Sequence, residues 1–312
     1  MNYLVAGGAG FIGSNLCGKL LKNGHRVTCL DNLRTGSLDN VSDFIDNNNF
    51  TFVNHDVRSP YANDEQFDRV FNLACPASPV QYQVNPIDTM VVNIIGTKNM
   101  LDVARDCNAV FVQASTSEIY GEPMIHPQTE DYRGNVNPIG PRACYDEGKR
   151  GAEALCFDYL RKHGVKIKVA RLFNTYGPNM MADDGRVISN FIVQALDGKK
   201  LTINGNGFQT RCFCYVDDMV EALILLSESG ENFNGPVNLG NPSECTILDL
   251  ASLVVQKIDP SLSVSHMPLP QDDPTRRKPS IELAQRVLRW TPETDLSSGL
   301  DKTIAFFKRR LA

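Results

Sequence analysis

A glycine-rich loop near the N-terminus constrains the fold more than any other feature of the sequence. It runs from Gly7 to Gly13 as Gly-Gly-Ala-Gly-Phe-Ile-Gly, between a short apolar run at residues 3–6 and a helical pattern at Phe11–Lys22. Glycines allow a tight turn and let backbone N–H groups approach a phosphate, while the helix N-terminus supplies positive charge. This strand, loop and helix order predicts a dinucleotide-binding fold.

Short β-rich runs alternate with longer helical patterns over about the first 175 residues. Such alternation is typical of strands joined by helical crossovers, which form a parallel sheet with helices on both faces. We therefore predict an α/β fold with a Rossmann-type doubly wound parallel sheet. The predicted strands are residues 3–6, 26–30, 50–53, 69–74, 110–114 and 167–171, and the predicted helices are residues 11–22, 86–106 and 145–162.

The alternation weakens near Gly177 and Pro178, which indicates a boundary. Beyond it, helices are predicted over residues 188–197, 217–227 and 247–257, short strands over 201–203 and 236–239, and an ordered loop or lid over 268–279. We predict that residues 1–175, with returning segments near 209–243, form an NAD-binding domain. Residues 176–208 and 244–312 are expected to form a smaller substrate-binding portion.

The composition excludes several other classes of protein. With 312 residues, 42% of them hydrophobic and 21% charged, the chain is typical of a globular protein. A net charge of -5 argues against a nucleic-acid surface, and no apolar run approaches the roughly 20 residues that span a bilayer. Nine scattered cysteines indicate a reducing compartment. We expect a cytoplasmic protein with no membrane segment, no nucleic-acid partner and, because histidines and cysteines lack paired spacing, no metal site.

An acidic residue at the end of the second predicted strand extends the glycine-loop pattern. Asp31 stands where a carboxylate can bind the hydroxyls of a ribose, and it would repel the 2′-phosphate of NADP. The sequence therefore predicts NAD as the cofactor. Asp56, which follows the third strand, is a candidate adenine contact. The alternative is a glycine-rich turn followed by a solvated aspartate, which the order of strand, loop, helix and acid disfavours.

Tyr145 and Lys149 lie four positions apart, and therefore on one face of a predicted helix. Tyrosine, with a pKa near 10, is a poor base at neutral pH. An ammonium about 5 Å away supplies about 3 kcal/mol toward its ionisation at an effective dielectric of 20. The pair predicts a general base that removes a hydroxyl proton while NAD⁺ oxidises the carbon. By itself, this spacing is equally typical of a solvated helix face.

The segment from Ser115 to Gly121 strengthens the catalytic interpretation because it directly follows a predicted strand. Ligands of open α/β sheets bind at the carboxyl ends of strands. We expect Thr116 to hydrogen-bond the same reacting oxygen as Tyr145. Glu118 is expected to reach the sugar ring as an acid/base or as a group that orients a hydroxyl. The structural alternative is an ordinary turn at the end of a strand.

The glycine loop, with two residues between its first two key glycines, resembles that of the extended short-chain dehydrogenase/reductase family. The resemblance covers roughly residues 1–310, and within that family it is closest to the members that decarboxylate UDP-glucuronate. The segments that carry it are residues 75–79, 115–121, 137–150, 171–178, 209–211 and 271–279. The resemblance implies oxidation of C4 of UDP-glucuronate by NAD⁺, loss of CO₂ from the resulting β-keto acid, and reduction to UDP-xylose.

The resemblance also implies roles for individual residues. Arg277 would hold the sugar carboxylate, whereas Arg276 beside it is more typical of a surface charge. Arg211 would bind a phosphate, Asn174 would lie near the diphosphate, and Pro79 and Tyr82 would lie on a loop facing the sugar. The catalytic set would be Thr116, Glu118, Tyr145, Lys149 and Arg277. The cofactor would contact Gly7, Gly10, Phe11, Ile12, Gly13, Asp31, Asn32, Thr35, Gly36, Asp56, Val57, Leu73, Tyr145 and Lys149.

Two other functions fit the same motifs. A UDP-hexuronate 4-epimerase would oxidise the same carbon and keep the carboxylate, and a non-catalytic nucleotide sensor would use the fold without needing a base. Related 4,6-dehydratases carry an Asp-Glu pair where this chain has Ser117 and Glu118, so dehydration lacks its acid. In similar proteins, the helices at residues 86–106 and 145–162 pair across a two-fold axis, which implies a homodimer.

Overall fold

The computed structural model describes residues 1–62, 64–268 and 276–311. Its strands are β1 (Asn2–Ala6), β2 (Arg26–Asp31), β3 (Phe50–Asn54), β4 (Arg69–Asn72), β5 (Val110–Thr116), β6 (Lys166–Leu172), β7 (Thr175–Tyr176), β8 (Leu201–Asn204), β9 (Thr210–Cys212), β10 (Cys214–Tyr215), β11 (Val237–Leu239), β12 (Glu244–Thr246) and β13 (Val264–Met267). Its α-helices are α1 (Phe11–Lys22), α2 (Pro79–Tyr82), α3 (Pro86–Val91), α4 (Thr97–Asp106), α5 (Ala143–His163), α6 (Val187–Leu196), α7 (Val216–Glu228), α8 (Ile247–Ile258), α9 (Glu282–Leu288) and α10 (Leu296–Leu311).

Seven parallel strands form the central sheet, in the order β11-β6-β5-β4-β1-β2-β3. The chain reverses its direction of travel across the sheet between β1 and β4, where Ala6 pairs with Leu30 on one side and with Asn72 on the other. Helices cover both faces of the sheet, with α1 and α7 on one face and α4 and α5 on the other. The predicted doubly wound α/β fold is therefore confirmed, and the reversal marks the edge where ligands bind.

The predicted helix at residues 86–106 is continuous but not uniform. Its middle, Val92–Gly96, is a π-helical turn between α3 and α4. There the Asn93 side chain donates to the Thr89 carbonyl oxygen at 2.9 Å, and it packs where a Cβ on Gly148 of α5 would approach within 3.0 Å. Periodicity over 20 residues does not reveal one inserted residue, so the sequence predicted an uninterrupted helix.

Helix α5 carries the Tyr145 and Lys149 positions and is fixed closely against the preceding helical segment. A Cβ on Gly151 would lie 2.6 Å from Ile94, so glycine at this position permits the close approach. The helix ends at Gly164, whose φ of +68° is the left-handed conformation that commonly terminates helices. Its first turn is thereby held against the carboxyl end of β5.

The described residues beyond 175 form three two-stranded pairs besides β11, namely β7 with β10, β8 with β13, and β9 with β12. Helix α6 packs against α8 beside them. Of the predicted loop or lid at 268–279, residues 269–275 lie outside the described residues, whereas Pro279 pairs with Gln128 through an isolated β-bridge. All nine cysteines are free thiols. Within the described ranges, no helix has the length and apolar character needed to cross a membrane.

Candidate active site

A cleft of about 630 Å³ lies over the carboxyl ends of the central strands. Most residues predicted from the sequence line it, namely Gly7, Gly10, Phe11, Ile12, Gly13, Asp31, Asn32, Thr35, Asp56, Val57, Leu73, Pro79, Thr116, Glu118, Tyr145, Lys149, Asn174, Arg211 and Arg277. Gly36 and Tyr82 are not among the residues that line it. We call the part formed by the glycine loop and Asp31 the cofactor end, and the part formed by Glu118, Arg142 and Arg277 the sugar-acid end.

The glycine loop leaves no room for side chains at the cofactor end. A Cβ on Gly7, whose φ is +78°, would lie 2.7 Å from the Leu73 carbonyl carbon, and one on Gly13 would lie 2.1 Å from the Gly7 oxygen. Gly10 precedes α1 without a capping side chain, so the first N–H groups of the helix stay open toward the cleft. This cradle fits the pyrophosphate of a dinucleotide.

The Asp31 carboxylate is held by backbone at the end of β2. It accepts hydrogen bonds from the Ala9 N–H at 3.0 Å and the Leu33 N–H at 2.8 Å. Burial raises the pKa of Asp31, and these backbone N–H groups oppose that effect. Gly36 lies beside this carboxylate, where a Cβ would approach Asp31 Oδ1 within 2.9 Å, and its predicted contact with the cofactor stays a prediction. Because glycine has no side chain, Gly36 leaves space for the Asp31 carboxylate.

A network of ion pairs that the sequence did not predict lines the cleft around Asp56 and Asp88. Asp88 of α3 accepts from Arg34 at 3.0 Å and from Arg58 at 2.9 Å. Arg58 also pairs with Asp56 at 2.7 Å, and this hydrogen-bonded contact holds the pKa of Asp56 well below its ordinary value. Asn32 donates to the same Asp56 carboxylate at 3.0 Å. The two charged partners, Arg34 and Arg58, reach Asp88 from other segments of the chain, and no local spacing links them to α3.

Tyr145 and Lys149 are both buried on the cleft side of α5. The Lys149 ammonium lies 5.8 Å from the centre of the Tyr145 ring and donates to the Ala114 carbonyl oxygen at 2.8 Å. Burial raises the pKa of Tyr145 well above its ordinary value, while a hydrogen bond with Thr116 acts in the opposite direction. Burial also lowers the pKa of Lys149, because it disfavours the charged ammonium. The sequence predicted a general base from the charge of Lys149, whereas burial of the Tyr145 hydroxyl opposes its ionisation.

Tyr82 is buried beside Tyr145 and does not line the cleft, and its predicted position facing the sugar stays a prediction. Its ring stacks on the Tyr145 ring at a centroid distance of 4.9 Å and an interplanar angle of 4°. Pro79 starts the one-turn helix α2 that places Tyr82 there, and Pro79 itself lines the cleft. The side chain of Tyr82 is 1% exposed, so this aromatic contact fixes the plane in which the Tyr145 ring lies.

Glu118 is bound by two arginines at the sugar-acid end. Its Oε2 accepts from Arg277 Nη2 at 2.8 Å and from Arg142 Nη2 at 3.0 Å, and its Oε1 accepts from Arg277 Nη1. Burial raises the pKa of Glu118, but the charges of Arg277 and Arg142 outweigh it, so the pKa lies below the ordinary value. Glu118 is therefore an anion at neutral pH. The sequence analysis treated Glu118 and Arg277 separately and missed Arg142, although Arg142 lies three residues before Tyr145.

A second buried ion pair fixes the backbone that carries Thr116. Glu153 of α5 accepts from the Ser115 hydroxyl at 2.5 Å, and it binds Arg171 of β6 through contacts of 3.0 and 2.9 Å. Thr116 then caps the short turn Ser117–Tyr120 by accepting from the Glu118 N–H at 3.2 Å. These contacts place the Thr116 hydroxyl and the Glu118 carboxylate on the cleft.

Comparison with known proteins assigns the family. A model of the NAD dependent epimerase/dehydratase family matches residues 3–240. The chain belongs to this family. The chain is similar to UDP-glucuronic acid decarboxylase 1 of Danio rerio, which is 51% identical over 99% of this chain and 73% of its own length. UDP-glucuronic acid decarboxylase 3 of Arabidopsis thaliana is 51% identical over the whole chain and 90% of its own length.

A solved structure of an NAD-binding epimerase has the same fold. The UDP-glucuronic acid 4-epimerase of Bacillus cereus, in complex with UDP-glucuronic acid and NAD, superposes with a TM-score of 0.88 and 28% identity. The match covers 99% of this chain and all of that one. In the part of this chain that the structure describes, no three or more His, Cys, Asp or Glu residues form a group suited to a metal ion.

Proposed function

We propose that this family member is a UDP-glucuronate decarboxylase that converts UDP-glucuronate to UDP-xylose and CO₂ with NAD as its cofactor. The observation that carries this conclusion is 51% identity to UDP-glucuronic acid decarboxylases along essentially the whole chain. The epimerase that binds the same nucleotide sugar is only 28% identical. The decarboxylase function is therefore better supported than the epimerase function.

The residues of the cofactor end fit NAD. Gly7, Gly10 and Gly13 provide the cradle for the pyrophosphate, and Asp31 provides a carboxylate for the adenosine ribose. When bound, NAD supplies the reversible two-electron oxidation of the sugar at C4. Because oxidation and reduction occur within one turnover, the overall reaction is UDP-glucuronate plus a proton giving UDP-xylose plus CO₂.

Tyr145 is proposed as the group that takes the proton from the C4 hydroxyl and later returns one. The Lys149 ammonium lies 5.8 Å from the centre of the ring, and a positive charge near the ring favours the phenolate. The hydrogen bond with Thr116 favours the same charged form. Lys149 holds its place through the Ala114 carbonyl oxygen, and Tyr82 holds the ring plane, so the base is positioned before the substrate binds.

The C4 ketone lies β to the C6 carboxylate, so breaking the C5–C6 bond releases CO₂ and leaves an enolate with its charge on the C4 oxygen. Thr116 and Tyr145 are proposed to donate hydrogen bonds to that oxygen, stabilising charge that develops only during bond breaking. A proton then adds to C5. Arg277 is proposed to bind the substrate carboxylate, because a planar guanidinium donates two parallel hydrogen bonds.

The remaining predicted contacts concern the nucleotide portion of the substrate. Asn174 and Arg211 line the cleft and are proposed to bind the diphosphate. Residues 176–208 and 244–312 are proposed to form the substrate-binding portion, which is supported by the presence of Asn204 and Ile247 on the cleft wall. A cytoplasmic location remains a prediction from composition alone.

We further propose a homodimer formed through the helical segment 86–106 and α5. Support comes from Ile87 and Ile95 of that segment, which are 75% and 40% exposed although both are large apolar side chains. Light scattering is expected to give a mass near twice 34.5 kDa. A species of 34.5 kDa alone would contradict the dimer without affecting the proposed reaction.

The decisive experiment follows purified protein by NMR with UDP-glucuronate and NAD⁺. The expected product is a UDP-pentose of xylose configuration, with CO₂ released and no net NADH. Retention of the carboxylate with inversion at C4 would instead establish an epimerase. An unchanged spectrum, together with measurable NAD binding, would favour a nucleotide sensor.

A further inference from the structure

Arg142 is a buried arginine at the sugar-acid end, and the reaction proposed above gives it no role. It directly precedes α5 and is 8% exposed, and its Nη2 lies 3.0 Å from Glu118 Oε2. Arg277 binds both oxygens of the same carboxylate. One carboxylate therefore holds two guanidinium groups in a region that is largely closed to water.

Arrival of the substrate carboxylate changes the pairing at this end. Arg277 presents the Nη1–Nη2 edge of its guanidinium to Glu118 in this structure. A sugar carboxylate that binds along this same edge displaces Glu118 from it at least in part. A buried carboxylate left without a cationic partner is strongly unfavourable, so Glu118 needs a second partner at that moment.

We propose that Arg142 is a positioning residue that keeps Glu118 charged and in place while Arg277 binds the carboxylate of the substrate. Arg142 acts through Glu118 and is not expected to touch the sugar. The inference rests on the proposed function, because it requires a substrate whose carboxylate competes with Glu118 for Arg277.

The structural contribution of residue 142 comes from its backbone, whereas the proposed positioning role belongs to its side chain. Its carbonyl oxygen accepts from the Tyr145 N–H at 3.0 Å and the Asp146 N–H at 3.1 Å, and these bonds start α5 whatever side chain residue 142 carries. Substitutions of the side chain therefore leave the helix start intact. Lysine retains a positive charge, whereas glutamine removes the charge and retains a donor.

The experiment compares wild type, Arg142→Gln, Arg142→Lys, Glu118→Gln and the double variant Glu118→Gln/Arg142→Gln. Arg161→Gln serves as the control, since Arg161 pairs with Asp158 in an exposed contact at the other end of α5. For each protein, NAD affinity, thermal unfolding, and kcat and KM for CO₂ release from UDP-glucuronate are measured.

We expect Arg142→Gln to lower kcat roughly 10- to 100-fold, the size of effect that misplacing a reacting group produces. KM and NAD affinity should change less than about threefold, and Arg142→Lys should recover part of kcat. In the Glu118→Gln background, Arg142→Gln should have almost no further effect, because its target is already altered.

Three outcomes would overturn the inference. A higher KM with unchanged kcat would make Arg142 a direct substrate contact, and equal losses in both Glu118 backgrounds would show that it does not act through Glu118. Parallel loss of NAD binding and folding in Arg142→Gln and Arg142→Lys would make its role structural. Failure of the wild type to release CO₂ would instead reject the decarboxylase function, and the inference with it.

Discussion

The two ends of the cleft are built in different ways. At the cofactor end, the backbone makes the site, because glycines at positions 7, 10 and 13 and the N–H groups of Ala9 and Leu33 shape the cradle and hold Asp31. At the sugar-acid end, long side chains make it, from residues 118, 142 and 277. A backbone site is rigid before its ligand arrives, whereas a site of exchangeable ion pairs can change partners as charge enters and leaves.

The largest effect is expected for Tyr145→Phe, which removes only the hydroxyl between the two ends. The stacking on Tyr82 should survive, so NAD affinity should stay within about threefold. Turnover should fall about 10³-fold, since loss of a general base typically lowers rates by 10²–10⁴. CO₂ release and a fluorescence titration with NAD measure the two quantities. Unchanged turnover would remove Tyr145 from the mechanism.

Arg277→Ala and Arg277→His test whether the sugar-acid end is separable from the cofactor end. Both variants leave Glu118 without its principal partner, and breaking a buried pair in this way has large effects, here roughly 10²-fold in kcat/KM. NAD affinity should hardly change. If NAD affinity and decarboxylation decrease together, Arg277 supports the whole fold and the two ends are not independent.

Gly13→Ala tests whether a change at the cofactor end leaves the sugar-acid end intact. The added methyl would lie 2.1 Å from the Gly7 oxygen, so the loop has to shift. We expect NAD affinity to fall about tenfold and the free energy of unfolding to fall by about 1–3 kcal/mol, as overpacking does elsewhere. Turnover should recover at high NAD concentration. A variant whose turnover stays low at saturating NAD would show that the loop also shapes the sugar-acid end.

Asp146→Asn should give the smallest effect, in the pH dependence of stability. Burial, together with the negative charge of Glu118, raises the pKa of Asp146 from 3.8 to about 7. The contribution of Asp146 to the free energy of unfolding is therefore full below about pH 4 and is lost as the pH rises through about 7. The reason is that the carboxyl ionises less easily in the folded protein than in the unfolded chain. Asparagine does not ionise.

Relative to wild type, the free energy of unfolding of Asp146→Asn, measured by urea titration, should therefore rise by about 2–3 kcal/mol between pH 5 and pH 8. Asparagine and aspartate have nearly the same size, so the substitution leaves the packing around residue 146 unchanged. A difference that is independent of pH would show that Asp146 ionises as easily in the folded protein as in the unfolded chain.

The sequence predicted the cofactor end well because its determinants are local. The strand, the glycines and helix Phe11–Lys22 are consecutive, and the predicted bounds of that helix agree with the structure. The π-helical turn at Val92–Gly96 escaped prediction because one extra residue hardly alters a helical pattern. The family resemblance indicated Glu118 and Arg277 individually, whereas their contact depends on folding across 159 positions.

The contrast between local and tertiary determinants also applies to Tyr82 and Arg142. Both neighbour motifs that the sequence analysis had recognised, but their orientation depends on how α2 and α5 pack together. Tyr82 was predicted to face the sugar, and its stacking on Tyr145 became apparent only in three dimensions. Local patterns identify residues near a site, while tertiary packing decides which of them face the ligand.

The late position of β11 in the chain has a consequence for biosynthesis. Strand β6 ends at Leu172, but its outer neighbour is Val237–Leu239, so that edge is exposed on the ribosome until more than 60 further residues have been made. Unpaired strand edges readily join other chains. In vivo, the yield of folded protein should therefore depend on how quickly translation passes through the intervening segment and on chaperones that cover the β6 edge in the meantime.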